Sequence, residues 1–143
     1  MTVARILAGK GRDVVTTQPY RTLKEVVELL SERRIGAVVV ADADRNVLGI
    51  VSERDIVRAL AQGGGEALDH PVSRHMTSRV VTIDERATID AVMELMTSGR
   101  FRHMPVVVGG RLTGLVSIGD VVKHHTAEIE TEKRALKDYI ATA

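Results

Sequence analysis

The sequence predicts a mixed α/β fold of the α+β type, in which two β-α-β-β-α modules pack around an approximate twofold axis and a long helix extends beyond the second module. The main observation is an internal repeat, because residues 15–57 return as residues 81–122, first 66 and then 65 positions later. A second observation is that each copy has the same succession of a Val-Thr start, a helical stretch, a Val-rich run and a second helical start. The offset changes where residues 42–46 shorten to residues 109–111, a hairpin turn that can lose a residue without shifting its strands.

A short helix is predicted ahead of the first module. Thr2 can cap a helix that carries Val3, Ile6 and Leu7, and glycines at positions 9 and 11 end it. The next helix starts with a capping box of the Ser/Thr-x-x-Glu type, Thr22 to Glu25. The elements of the first module are then a strand at 14–16, a helix from Thr22, strands at 35–41 and 47–51, and a helix from Ser52.

The second module repeats this order after a connector. Three glycines at 63–65 predict the end of a helix and a flexible connector that runs to Pro71. The elements that follow are residues 75–77, which resemble the initial helix, a strand at 80–83, a helix at 88–98, a hairpin at 104–108 and 112–116, and a helix from Ser117. The chain therefore divides into module 1 (1–62), a Gly-rich linker (63–71), module 2 (72–126) and a C-terminal helical extension (127–143).

The last helix is predicted to outrun its counterpart, because nothing breaks it between Asp120 and about residue 141. It carries a sparse apolar stripe of Val122, Ile129, Leu136 and Ile140. Such a stripe favours packing against a partner subunit or the protein's own body, and the preferred interpretation, a dimer contact, predicts a homodimer. A frayed tail is the alternative.

Composition narrows the class of protein. The 143 residues carry a net charge of +1, and aromatic residues make up only 2%, so neither charge nor stacking surface favours nucleic-acid binding. There is no cysteine, which excludes disulfides, thiolate metal sites and cysteine nucleophiles. No apolar run approaches the roughly 20 residues that span a bilayer. We therefore expect a soluble cytoplasmic protein that binds neither nucleic acid nor membrane.

The candidate chemistry lies in the signature Gly-(Ile/Leu)-Val-Ser-x-x-Asp, at residues 49–55 and 114–120. The simpler interpretation of Ser52 with Asp55, and of Ser117 with Asp120, is a helix cap. However, each pair follows a strand directly, where α/β structures collect ligands. Free amides at a helix start attract phosphate, and a carboxylate there can accept both hydroxyls of a ribose. Cap and ligand contact are compatible.

Basic residues that could hold a phosphate are distributed unequally. Arg100, Arg102 and His103 enter a strand of the second copy, where the first copy offers Arg34 and then small or apolar residues. Arg54, beside Asp55, could supply charge to either cleft. We therefore expect one cleft to clamp phosphate better than the other, and the alternative is a solvated basic edge.

Other motifs do not indicate chemistry. Gly9-Lys10-Gly11 lacks the features of a phosphate loop and is interpreted as a helix stop. His124 and His125 are adjacent, so they point to different sides of a helix and cannot chelate one metal ion together. No constellation in the sequence resembles an active site, so we expect no enzyme activity and no metal site.

Taken with Arg-His-Met-Pro-Val at residues 102–106, the paired signatures resemble the cystathionine β-synthase (CBS) domain family in tandem, a Bateman module. The resemblance covers the chain from about Val3 to His125. It implies a regulatory sensor whose two clefts bind adenosine compounds such as AMP, ADP, ATP, NAD(H) or S-adenosylmethionine, with no cofactor required. A ligand-free structural or protein-interaction module is the alternative.

The resemblance also implies roles for individual residues. Asp55 and Asp120 would hold ribose hydroxyls, with Ser52 and Ser117 near the phosphate or sugar, and Arg102 and His103 would touch phosphate. The remaining implied site residues are Thr16 and Thr82 after the first strand's apolar pair, and an adenine wall of Ile35, Gly36, Ala37, Val38, Met104 and Pro105. Because the first copy lacks the basic pair, the two clefts are not expected to be occupied equally. The regulated partner, an effector protein, is not identified by the sequence.

Overall fold

The computed structural model describes residues 1–142, and Ala143, the last residue of the predicted C-terminal extension, lies outside the described residues. The α-helices are α1 (Val3–Lys10), α2 (Leu23–Arg33), α3 (Glu53–Gly63), α4 (Ile89–Gly99) and α5 (Ile118–Thr142). The strands are β1 (Thr16–Thr17), β2 (Ala37–Ala41), β3 (Val47–Ser52), β4 (His103–Val108) and β5 (Arg111–Ser117). Two 3-10 helices, Gly64–Asp69 and Val72–Arg74, connect the modules. The α+β fold with two repeats and a C-terminal helix is confirmed.

The two modules form separate small sheets. In the first, β1 runs parallel to β2 and β2 runs antiparallel to β3. In the second, β4 and β5 form the antiparallel hairpin. The strand predicted at 80–83 is reduced to one parallel bridge between Ile83 and Val106, held by the Ile83 amide on the Pro105 carbonyl at 3.0 Å. Residues 75–77 are not helical as expected, because Thr77 instead exchanges two 2.9 Å backbone hydrogen bonds with Ile50 at the edge of β3.

For the structure we use module 1 and module 2 for the two repeated β-α-β-β-α units alone, residues 15–63 and 80–126, so that α1 and residues 64–77 are the segments that precede them. Each module's core is completed by the segment that precedes the other module. Val3, Ile6 and Leu7 of α1 are fully buried in the core of the second module. Ala67 and Val72 of the connector are fully buried in the core of the first. Burying one large apolar side chain contributes about 1.5–3 kcal/mol. The modules therefore cannot separate without both losing core residues, and the connector is packed rather than flexible.

The signature glycines allow this exchange of segments. A Cβ on Gly49 would lie 2.5 Å from the Sδ of Met76, in the segment before module 2. A Cβ on Gly114 would lie 2.7 Å from the Cδ atoms of Leu7, in the helix before module 1. Both distances are too short for packed atoms, so glycine is required at these equivalent positions because another segment packs directly on the strand.

The connector also contains a histidine pair. His70 Nδ1 and His75 Nε2 lie 2.9 Å apart, and the two rings stack with centroids separated by 5.2 Å. Burial lowers the pKa of His75, and the nearby His70 and Arg74 lower it further. The contact needs a lone pair on one of the two nitrogens, so it favours a neutral ring at this position.

The helix α5 separates from the body after its first turns. Val121 is fully buried, whereas every described residue from Ile129 onward is exposed. The predicted stripe is exposed as well, with Val122 at 50% and Leu136 at 60%. Across residues 1–142 we find no helix with the length and apolar character that crossing a membrane requires.

Candidate ligand clefts between the modules

The helices α3 and α5 begin in equivalent ways. The Ser52 amide donates to Asp55 Oδ2 at 2.8 Å, and the Ser117 amide donates to Asp120 Oδ2 at 2.9 Å. The Asp120 amide returns a hydrogen bond to Ser117 Oγ at 3.2 Å. Both Ser-x-x-Asp pairs are therefore caps, as the simpler interpretation predicted. Each cap also holds a carboxylate in place at the end of a strand.

The helix starts are tied to residues that precede the neighbouring strands. The Glu53 amide donates to the Gly36 carbonyl at 3.1 Å, and the Ile118 amide donates to the Arg102 carbonyl at 2.8 Å. Gly36 and Arg102 follow Arg34 and Arg100, which end α2 and α4 in the left-handed conformation at φ 54° and 57°. The turn that ends α2 therefore positions Gly36 beside the start of α3, and the turn that ends α4 positions Arg102 beside the start of α5.

The two carboxylates differ in their surroundings. Thr77 Oγ1 donates to Asp55 Oδ1 at 3.2 Å, Arg58 Nη1 lies 3.6 Å from the same oxygen, and the Asp55 side chain is 8% exposed. The Asp120 side chain is 25% exposed and receives the Lys10 ammonium on Oδ2 at 2.5 Å. Burial alone would raise the pKa of Asp120, but hydrogen bonds from Lys10 and the Ser117 amide lower it overall. Asp120 is therefore an anionic acceptor at neutral pH.

A cleft of about 230 Å³, which we call the Asp55 cleft, lies between the modules. Module 1 contributes the start of α3 and module 2 contributes the turn before β4. Its walls are Gly36, Ile50, Ser52, Glu53, Arg54, Asp55, Arg58, Thr77, Arg100, Phe101, Arg102 and His103. The arginine pair of module 2 therefore faces the carboxylate of module 1.

A second cleft, of about 320 Å³, lies at the equivalent place, and we call it the Ser117 cleft. Its walls are Lys10, Asp13, Val14, Val15, Arg34, Ile35, Gly36, Ala37, His103, Leu115 and Ser117. Asp120 is not among these walls, because the Lys10 side chain covers its carboxylate.

The two clefts differ in the number of basic residues that line them, which is the kind of difference the sequence predicts. Four arginines face Glu53 and Asp55 in the Asp55 cleft. The Ser117 cleft sets Lys10 and Arg34 against Asp13, with Asp120 behind the lysine. Arg54, which could have served either cleft, lines the Asp55 cleft.

His103 belongs to both clefts. It begins β4, is half-buried, and lines each cavity. Burial lowers the pKa of His103, Lys10 and Arg102 act in the same direction, and the carboxylates Glu53 and Asp120 oppose them. The imidazole is therefore neutral at physiological pH.

Several predicted site residues lie away from the cleft walls. Val38 and Met104 are fully buried in the cores of their own modules, because side chains alternate along a strand and the neighbouring Ala37 and His103 face the clefts. Pro105 is buried and Thr82 is exposed, and neither lines a cleft. Thr16 pairs with Val39 in β1 and is also outside both walls. Ile35, Gly36 and Ala37 do line the Ser117 cleft, as expected.

The sequence interpretation missed residues that come from the exchanged segments. Lys10 ends α1 and Thr77 precedes module 2, and both contact a signature aspartate. Local sequence gave no indication of these contacts, because Lys10 and Asp120 are 110 residues apart. Arg58 could have been found, since it lies one helical turn after Asp55 on α3.

The structure is thus a tandem pair of similar modules, each with a capped carboxylate at the end of a strand, and two clefts lie between them. The model of the CBS domain family matches residues 10–62 and 72–126, so the chain belongs to the CBS domain family.

Solved structures agree with this assignment. A CBS-domain containing protein from Agrobacterium tumefaciens is 50% identical, with a TM-score of 0.85 over 87% of this chain and 99% of that chain. The CBS domain pair of protein MJ0100, in complex with 5′-methylthioadenosine and S-adenosyl-L-methionine, is 25% identical, with a TM-score of 0.78 over 87% of this chain and 99% of that chain. A hexameric CBS-CP12 protein from bloom-forming cyanobacteria is 26% identical, with a TM-score of 0.75 over 85% of this chain and 69% of that chain.

Proposed function

We propose that this CBS pair is a regulatory module that binds an adenosine nucleotide between its two modules and passes that state to an effector protein. The observation that carries the proposal is the composition of the Asp55 cleft, in which a capped carboxylate of one module faces the arginine pair of the other. The adenosine compounds bound by the CBS pair of MJ0100 support the choice of ligand class.

The nucleoside end of the ligand would use Asp55. An ionised carboxylate only accepts hydrogen bonds, which suits the vicinal diol of a ribose. Thr77 and Arg58 now share the accessible oxygen Oδ1, so a ribose would replace or join them. Ile50 and Phe101 supply apolar surface in the same cleft, against which a base can pack.

The phosphate end would use Arg100, Arg102 and the start of α3. Guanidinium groups bind phosphate oxygens in a bidentate fashion, and a helix N-terminus adds partial positive charge. Four arginines favour a ligand with at least one phosphate in this cleft. AMP, ATP and NAD(H) satisfy that condition, and the residues do not distinguish among them.

Signalling follows from the position of the clefts between the modules. A ligand that contacts both modules favours one relative orientation, and it shifts the population only as far as its affinities for the two orientations differ. The exchanged segments α1 and 63–77 transmit such a shift because each is anchored in the core of the other module.

We also propose that the chain acts as a homodimer through α5 and the groove between α2 and α3. That groove, of about 570 Å³, is lined largely by apolar side chains such as Val27, Ile56 and Val57. Val122, Ile129, Leu136 and Ile140 form an exposed apolar stripe on α5, with Thr126 and Lys133 between them, and such a stripe can pack against a partner subunit. The hexameric relative indicates that CBS proteins of this shape assemble.

Thermal unfolding in the presence of nucleotides tests the ligand proposal. AMP, ATP, NAD, NADH, S-adenosylmethionine and GMP are compared at fixed salt. A ligand at about 100 times its Kd stabilises the protein by roughly 2.7 kcal/mol, which shifts Tm by several degrees. Stabilisation by adenine compounds, lost in Asp55→Asn, supports the proposal. No shift with any ligand would favour the alternative, a ligand-free interaction module in which the caps are only caps.

A further inference from the structure

We propose that the two clefts are antagonistic, because His103 forms part of the wall of both and can donate a hydrogen bond to a phosphate in only one of them at a time. This inference rests on the proposed nucleotide binding and adds regulation to it. A phosphate-bearing ligand in either cleft would weaken the binding of a second such ligand in the other.

The first step is the geometry of the shared wall. His103 and Gly36 line both the Asp55 cleft and the Ser117 cleft. A Cβ on Gly36 would lie 3.4 Å from both Cε1 and Nε2 of the His103 ring. A methyl group on Gly36 would thus be in van der Waals contact with the imidazole, and His103 and Gly36 together belong to the wall that the two cavities share.

The second step is the chemistry of the ring. The charged groups around it are Lys10 and Arg102, which lower its pKa, and Glu53 and Asp120, which raise it, while burial is the largest influence and lowers it. A neutral imidazole carries one N–H donor and one lone pair. A phosphate oxygen accepts hydrogen bonds, so the ring turned toward one phosphate leaves no donor for the phosphate across the wall.

The third step is the charge on either side of the wall. Lys10 and Arg34 belong to one cleft, and Arg100 and Arg102 belong to the other. Each cleft can thus neutralise its own ligand in part, which allows both to bind. The shared imidazole makes the second binding event weaker than the first, by about tenfold if the coupling is of the usual size for linked sites.

Isothermal titration calorimetry with AMP at fixed salt and neutral pH measures this coupling. Arg34→Glu reverses a charge in the wall of the Ser117 cleft only, and Arg100→Glu does so at the equivalent position of the Asp55 cleft, so each variant gives the association constant of the other cleft. In the wild-type protein the product of the two stepwise association constants should be about tenfold smaller than the product of the two single-cleft association constants. We call this difference the deficit. The same comparison in His103→Ala should show no deficit. His124→Ala, a histidine of α5 outside both cleft walls, is the matched control and should keep the deficit.

Adenosine, which has no phosphate, should show no deficit in the wild-type protein. Two independent sites for AMP in the wild-type protein, or a deficit that persists unchanged in His103→Ala, would each overturn the inference. Absence of AMP binding to the wild-type protein would instead contradict the proposed function itself, and circular dichroism of each variant separates loss of binding from loss of fold.

Discussion

Replacing Asp55 or Asp120 by alanine should destabilise the protein unequally, although the two residues occupy equivalent positions in the repeat. Asp55→Ala removes the acceptor of the Ser52 amide and hydroxyl and of the Thr77 hydroxyl, in a site where the carboxylate is only 8% exposed. Loss of the cap costs about 1 kcal/mol. Donors left without a partner in a nearly buried site cost about 1–3 kcal/mol more.

Asp120→Ala removes a cap of the same kind, but its other partner is Lys10, and this ion pair is partly solvated. A pair of that exposure contributes about 0.2–1 kcal/mol, and the freed ammonium can turn to water. We therefore expect a loss of about 2–4 kcal/mol for Asp55→Ala and about 1–2 kcal/mol for Asp120→Ala.

Urea unfolding followed by far-UV circular dichroism measures the difference, since the chain has no tryptophan. With an m-value of about 2 kcal/mol per molar urea, the midpoints should fall by about 1–2 M for Asp55→Ala and by about 0.5–1 M for Asp120→Ala. Asp55→Asn serves as the control, because it retains one carbonyl acceptor for the cap and should lose less stability than Asp55→Ala. Equal destabilisation by the two alanine variants would refute the reasoning, since it would mean that Thr77 and the burial of Asp55 contribute nothing.

Three further predictions follow from the packing and the titrating groups. Gly114→Ala should destabilise the protein by about 1–3 kcal/mol, because the added Cβ overpacks against Leu7. Gly9→Ala has nothing within 4 Å of its added Cβ and should stabilise the helix α1 by about 0.5–1 kcal/mol. Chemical unfolding of both variants measures the two effects. The pKa of His75 is lowered in the folded protein, so the unfolded chain binds more protons, and stability should fall as pH drops below about 6.5 until the folded pKa is passed; His75→Gln should flatten this part of the stability profile, and an unchanged slope would contradict it. Leu136→Glu places a charge in the exposed stripe of α5 and should convert the proposed dimer to a monomer in sedimentation equilibrium. Its Tm should fall only by the stability that dimerisation contributes, because Leu136 makes no core contact within its own chain.

The elements of the fold could be predicted because their signals are local. Thr22 caps α2 as its capping box indicates, and Thr88 caps α4 at the equivalent position; their Oγ1 atoms accept hydrogen bonds of 3.2 and 3.1 Å from the amides three residues on. The hairpins can be predicted from Val-rich runs on either side of polar turns. Because the sequence repeats, an element predicted in one copy is also predicted at the equivalent positions of the other copy. The strand at 80–83 was overestimated because its partner contact is a single bridge at Ile83.

The clefts could be predicted only in part, because their walls come from distant segments. The signature aspartates and the basic turn are visible in sequence, but their pairing across modules is not: Arg102 faces Asp55 of module 1, not the Asp120 of its own module. Met104 was predicted to line a cleft but lies in the core, because side chains alternate along β4 and its neighbour His103 is the one that faces the clefts. The sequence indicates only a helix stop at Lys10. Its contact with Asp120 exists because α1 packs on module 2.

The exchange of segments explains why the functional unit is the pair and not the single module. Module 1 alone would keep Ser52, Asp55 and the cap between them, yet it would lack Thr77, which donates to the carboxylate, and the module 2 arginines Arg100 and Arg102. It would also lose Ala67 and Val72 from its core, so that the strand and helix that carry the cap would be less stable. The residues that contact the cap carboxylates and the residues that hold the modules together are thus neighbours in the same segments: Lys10 follows Leu7 by three positions, and Thr77 follows Met76 directly. A ligand that displaces Lys10 from Asp120, or Thr77 from Asp55, therefore acts on the packing of the opposite module, which is the physical requirement for a cleft that reports its occupancy rather than merely holding a nucleotide.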